Sequence, residues 1–121
     1  MPRIHHVNVV VPPGGTDDAL AFWSGALGLR QVEKPAALDP RGAWLQVDDH
    51  TQIHISEREG EPHPSAHVAL VVDDFAAVVA RLAAVGAQVT PGEDLFGGAR
   101  GFTRDPAGNR VELLESAGSL M

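Results

Sequence analysis

The chain has no cysteine. Disulfides and thiolate metal ligation are therefore excluded, and any metal must be held by nitrogen and oxygen. Basic residues are few and scattered: nine Lys and Arg stand against 16 Asp and Glu, for a formal net charge of −7. Without a basic stripe to neutralise phosphates, a nucleic-acid partner is not expected. Long apolar runs are missing as well. The longest, starting at Val68, is broken at Asp73-Asp74 and again at Arg81, so no segment is expected to span a membrane. Met1-Pro2-Arg3-Ile4-His5-His6 lacks the apolar core of a signal peptide, which makes the cytoplasm the expected location.

What the chain does have is an imperfect copy of itself. His6-Val7-Asn8-Val9-Val10-Val11 returns as His67-Val68-Ala69-Leu70-Val71-Val72, and Ile53-His54-Ile55-Ser56-Glu57 returns as Val111-Glu112-Leu113-Leu114-Glu115. The interval from His6 to His67 exceeds those from Gly28 to Gly86 and from His54 to Glu112 by three residues. One local insertion, around Pro12-Pro13-Gly14-Gly15, accounts for that excess. At 121 residues with 44% hydrophobic and 21% charged side chains, the chain has the size and balance of one soluble domain with a real core.

Each half reads as βαβββ, which makes the fold class α+β with two tandem modules. Module one spans about residues 3–58, a linker with two prolines and a glycine about 59–65, and module two about 66–115. In the first module a strand over 6–11 precedes a helix that Thr16 or Asp17 is expected to cap, with Leu20, Trp23 and Leu27 at helical spacing and Gly28 as its stop. A short strand at 29–32 and a hairpin of 43–47 with 51–56 follow. In the second module the strand 67–72 leads to a helix capped by Asp73 or Asp74, with Phe75, Val78, Val79 and Leu82 on one face and Gly86 at its end. A short strand at 87–89, a loop at 90–98 and a hairpin of 99–104 with 110–115 complete it. The loop 90–98 reads either as a lid or as an ordinary connection.

Alternation along the strands assigns faces. His6 and Asn8, then His54, then His67, and finally Arg110 and Glu112 fall on the more polar face of their strands, opposite aliphatic residues suited to helix packing. Three imidazoles and a carboxylate at duplicate positions are what a divalent metal site requires, so His6, His54, His67 and Glu112 are the expected ligands. His5 has the wrong parity and is the alternative to His6. His50 in a turn and His63 in the linker are expected to be solvated, and Glu57 and Glu115 to lie at strand ends outside the site. Asn8, Trp44, Gln46, Arg100 and Phe102 share the same front and are the candidate substrate contacts. Arg104 shares the parity of Arg100. These arginines either fork onto a substrate carboxylate or phosphate, or stand in solvent or pair with Asp94 or Asp105.

Asp105-Pro106-x-Gly108-Asn109-x-Val111-Glu112-Leu113, His67-Val68-Ala69-Leu70-Val71-Val72-Asp73-Asp74 and Phe22-Trp23-x-x-x-Leu27-Gly28-Leu29 together resemble the vicinal oxygen chelate superfamily. This is the glyoxalase I, fosfomycin-resistance, bleomycin-resistance and extradiol dioxygenase group. The resemblance covers about residues 3–115, with Trp23 in place of the usual tyrosine. It implies two βαβββ modules forming a cupped mixed sheet with helices on the outer face, commonly in a homodimer. It also implies one divalent ion (Zn, Ni, Co, Mn or Fe(II)) at His6, His54, His67 and Glu112. The implied chemistry is Lewis-acid catalysis on a small molecule with vicinal oxygens, stabilising an enolate or oxyanion. Glu112 and His54 are the implied catalytic positions, with His54 open as ligand or base. Glyoxalase I has glutamate where this chain has His54, which leaves one formal negative charge among the ligands and puts glyoxalase I activity itself in doubt. The competing expectation is a metal-free drug-binding protein of the bleomycin-resistance type.

Overall fold

The computed structural model describes residues 1–119, which divide into two compact units, Met1–Glu61 and the residues from Pro62 onward. In the first unit, β1 (His6–Val11) is followed by α1 (Thr16–Leu20), which widens into a π-type turn over Ala21–Ala26, and then by β2 (Arg30–Val32), β3 (Ala43–Gln46) and β4 (Gln52–Glu57). The second unit repeats the order with β5 (His67–Val71), α2 (Phe75–Ala84), β6 (Thr90–Pro91), β7 (Arg100–Arg104) and β8 (Arg110–Leu114). Each unit has its own four-stranded mixed sheet, ordered β1-β4-β3-β2 in one and β5-β8-β7-β6 in the other. β1 lies parallel to β4 and β5 parallel to β8, while the remaining pairs are antiparallel. The α+β class and the repeated βαβββ plan therefore hold. No described helix is long and apolar enough to cross a membrane.

The core of each unit is the aliphatic face of its sheet together with its helix. Val9, Val11, Leu45, Ile53 and Ile55 are buried in the first unit along with Phe22 and Trp23, each at most 6% exposed. Leu70, Val111 and Leu113 are buried in the second along with Val78 and Leu82. The opposite parity is left for polar side chains, which is how a two-residue period turns one strand into a core wall and a site wall at once.

Two local expectations are corrected. The first helix has no side-chain cap: Gly15 occupies that position. The Thr16 hydroxyl instead donates to Glu57 Oε2 at 2.6 Å, and the Gly14 amide donates to Glu57 Oε1 at 2.9 Å. A charged acceptor outcompetes the helix end, and the Glu57 pKa is lowered, first by the Thr16 hydroxyl and then by the Gly14 amide. The Gly42 amide donates to the same Thr16 oxygen at 3.0 Å. Gly42 has φ +80°, and a Cβ there would collide with the Ile55 carbonyl oxygen, so only glycine fits this crossing. The second correction is the strand expected at 87–89. Those residues are not in a strand, and the edge strand is Thr90–Pro91, paired with Phe102 and Gly101. A proline at a sheet edge is tolerated because it need not donate to the ladder. The second helix is capped as expected, with Asp74 accepting from the Ala77 amide at 3.2 Å.

The turn between β7 and β8 fixes the register of the second site wall. Asp105 is 4% exposed. Its Oδ1 accepts from the amides of Ala107 (3.0 Å) and Asn109 (2.8 Å), and its Oδ2 from Asn109 Nδ2 (3.0 Å). Asp105→Ala strands these donors and is expected to cost about 2–3 kcal/mol in chemical unfolding, with Asp105→Asn costing less. Equal stability of wild type and Asp105→Ala would show that the turn does not depend on this carboxylate.

Candidate functional site

On the first sheet, register places Asn8 and Trp44 directly opposite His54 on its two sides. The indole of Trp44 stacks on the His54 ring at 4.1 Å and 3°, and the His6 ring stacks on its other side at 4.1 Å and 14°. His54 is thus 7% exposed although it lies on the polar face. His6 continues the line to His5, Nδ1 to Nδ1 at 3.0 Å. Asn8 accepts from the Ser56 hydroxyl at 2.6 Å.

A hydrogen-bond relay determines which nitrogen of His54 carries its proton. The Asp48 carbonyl can only accept, so the Gln46 amide donates to it. Gln46 Oε1 then accepts from Gln52 Nε2 at 2.9 Å, and Gln52 Oε1 faces His54 Nε2 at 2.8 Å. His54 therefore donates through Nε2, and its lone pair is on Nδ1. Burial depresses the His54 pKa to about 4, with the charges of His6, His5 and Lys34 adding to it. A neutral imidazole is the form that can ligate a metal or accept a proton.

On the second sheet Glu112 lies opposite Ala69 and Phe102. It is 6% exposed. Its Oε1 faces His67 Nε2 at 3.0 Å and its Oε2 accepts from Arg100 Nε at 2.7 Å. Burial alone would raise the Glu112 pKa, but the Arg100 hydrogen bond and charge, with His67 behind them, outweigh it and hold the carboxyl below its usual range. His67 Nδ1 donates to the Ser65 carbonyl at 2.9 Å. Phe102 meets His67 edge-on at 6.1 Å, and the guanidiniums of Arg100 and Arg110 lie over its ring at 4.7 and 3.9 Å.

The structure thus joins the expected ligands in pairs, His6 with His54 and His67 with Glu112, one pair in each unit. Among the described residues no three His, Asp or Glu side chains are grouped as a metal cluster. Of the expected substrate contacts, Trp44 covers His54, Gln46 is a link of the relay, Asn8 is engaged by Ser56, Arg100 is engaged by Glu112, and Phe102 carries two guanidiniums. His63 accepts from the amides of Ser65 and Ala66 at 3.1 and 3.3 Å, bracing the residue that orients His67. Ser65 and Gln52 were not singled out in the sequence. Gln52 shares the parity of His54, whereas Ser65 acts through its backbone and leaves no side-chain signal.

Two βαβββ units, each with a polar pair on the face opposite its buried aliphatic one, define a duplicated α+β class. The chain belongs to the glyoxalase-like domain family, whose model matches residues 8–114, and so to the vicinal oxygen chelate superfamily. It is similar to the crystal structure of a protein assigned to the glyoxalase family from Bacillus anthracis, with 30% identity, a TM-score of 0.81 and 93% of each chain covered. It shares its fold with TnmS3, an antibiotic binding protein from Streptomyces sp. CB03234 (21% identity, TM-score 0.75, 97% of this chain and 98% of that one). A glyoxalase/dioxygenase from Nostoc punctiforme is comparable (21% identity, TM-score 0.76, 92% and 88% covered). Comparison with curated proteins finds no match.

The His54 pKa predicts a pH response. The folded value of about 4 lies below the ordinary 6.5, so the unfolded chain takes up the proton first as pH falls. In metal-free protein, stability should be full above pH 6.5 and decline toward pH 4, by up to about 3 kcal/mol from this ring. Urea unfolding across that range measures it. His54→Gln should flatten the slope; an unchanged slope would mean that His54 is not held neutral.

Proposed function

We propose that the protein is a metal-dependent enzyme acting on a small molecule with vicinal oxygens, and that His67 and Glu112 hold the divalent ion. One observation carries the reading. Because the Ser65 carbonyl requires a proton on His67 Nδ1, a neutral ring presents a lone pair at Nε2, and that lone pair faces Glu112 Oε1 at 3.0 Å. Two acceptors at that distance repel. The contact is favourable only with a cation, either a proton on Nε2 or a metal ion in the proton's place.

Imidazole nitrogen and carboxylate oxygen suit Zn, Ni, Co, Mn or Fe(II). Bound there, the ion would supply Lewis-acid polarisation of two adjacent substrate oxygens. The residues around the pair do the positioning. Ser65 fixes the tautomer of His67, and Arg100 aims the Glu112 carboxylate by holding its far oxygen, the support that metal ligands ordinarily have. In the first unit His54, neutral and with its lone pair on Nδ1, is open as ligand or base, and His6 stacks beside it as the remaining expected donor. A cytoplasmic homodimer belongs to the same reading.

A metal-free binding protein is the second reading, favoured by the Arg100–Glu112 ion pair at 2.7 Å, which already compensates the buried carboxylate. TnmS3, with the same fold, is an antibiotic binding protein. Elemental analysis of untagged protein separates the two. Close to one equivalent of transition metal is expected. His67→Ala and Glu112→Ala should lose it while the far-UV spectrum is unchanged, and Arg100→Gln should weaken binding by about 10–100-fold. Separate His6→Ala and His54→Ala variants assess the other two donors. No metal uptake on titration would leave the binding-protein reading standing. With metal established, glutathione hemithioacetals, fosfomycin with thiols, and catechols under air are the substrates to screen.

A further inference from the structure

Three cationic or titratable side chains form a row across three neighbouring strands of the second sheet. Arg110 on β8 pairs with His67 on β5 and with Arg104 on β7, and all three project from the face that carries Glu112. Like charges directly opposite one another in an antiparallel pair are destabilising, yet Arg104 and Arg110 are register partners. Among the described residues neither makes an ion pair with a carboxylate. Glu112, one step along β8, is engaged by Arg100 and His67. The acids weighed as partners from the sequence are occupied elsewhere: Asp94 accepts from the Gly97 and Gly98 amides, and Asp105 holds its own turn. In a chain with 16 acidic residues for nine basic ones, two adjacent arginines without a carboxylate are a local reversal of charge.

Both guanidiniums are held in place. Arg104 donates to the carbonyls of Gly108 at 3.0 Å and Pro64 at 3.2 Å, which are neutral acceptors and leave its charge uncompensated. Arg110 Cζ lies over the Phe102 ring, 3.9 Å from its centre. A cavity of about 420 Å³ adjoins them, walled by Gln88, Thr90, Phe102, Arg104 and Arg110.

We propose that Arg104 and Arg110 form an anion-recognition site that takes the carboxylate or phosphate group of a small-molecule ligand. A planar guanidinium matches either oxyanion as a two-pronged donor, and the position of Arg110 over the Phe102 ring leaves less conformational freedom to be lost on binding. The anion relieves the repulsion between the paired arginines, and Gln88 and Thr90 supply neutral polar contacts at the cavity wall. The inference stands on the arginines and does not require a bound metal.

The test is a titration of untagged protein, as purified and after chelation, with inorganic phosphate and separately with malonate, followed through the arginine side-chain N–H signals. The chelated sample removes anion bound through a metal ion. Saturable shifts at Arg104 and Arg110 with a millimolar or tighter dissociation constant are expected in both samples. Tighter phosphate marks a phosphorylated ligand, and tighter malonate a carboxylic acid. Arg110→Gln and Arg104→Gln should each weaken binding at least about fivefold, and Arg110→Lys, which keeps the charge but not the fork, by less. Arg58→Gln in the first unit should change nothing, and the backbone amide spectrum reports that each variant is folded. Unchanged affinity in Arg110→Gln, weakening by Arg58→Gln to the same degree, or binding seen only before chelation would overturn the proposal.

Discussion

The second unit's site depends on one buried carboxylate. Glu112 is almost fully removed from water, and an isolated carboxylate there would be neutralised by protonation. It stays ionised because Arg100 grips one oxygen and His67 faces the other. That arrangement fixes much else. The Arg100 side chain is committed to Glu112, His67 is oriented with Ser65 behind it, and the Phe102 ring lies under two guanidiniums. Removing one partner of such a network is costly because it leaves the rest buried and unpaired.

The first unit meets the same problem, a polar side chain buried on the site face, by the opposite means. His54 is kept neutral, covered by the Trp44 indole and the His6 ring, with its one proton committed to an amide relay that ends on the Asp48 carbonyl. One copy of the module thus presents a charged carboxylate–guanidinium–imidazole group and the other a stacked neutral imidazole. The duplicated backbone supplies equivalent strand positions, and the side chains at those positions have diverged in electrostatic character.

Much of this was legible in the residues. Two-residue alternation places His6, His54, His67 and Glu112 on the site faces because burying the aliphatic parity leaves no other choice. The Asp105 turn was visible in Asp105-Pro106-x-Gly108-Asn109 because an aspartate that caps its own loop is a local event. The losses occurred where distant groups decide. Thr16 looks like a helix cap until Glu57, far along the chain, is found to accept its proton. The edge strand at Thr90–Pro91 is determined by pairing with β7 rather than by the β-propensity of residues 87–89. The Arg104–Arg110 pair required the hairpin register, which parity alone does not supply. The stacking of Trp44 on His54 required the register of β3 on β4.

The proposed function requires that His67 and Glu112 take a divalent metal. Its most direct test is an anomalous difference map from crystals of untagged protein loaded with zinc. A single strong peak at His67 and Glu112 is expected, with Arg100 still on Glu112 Oε2. A map with zinc elsewhere and the His67–Glu112 contact intact would contradict it.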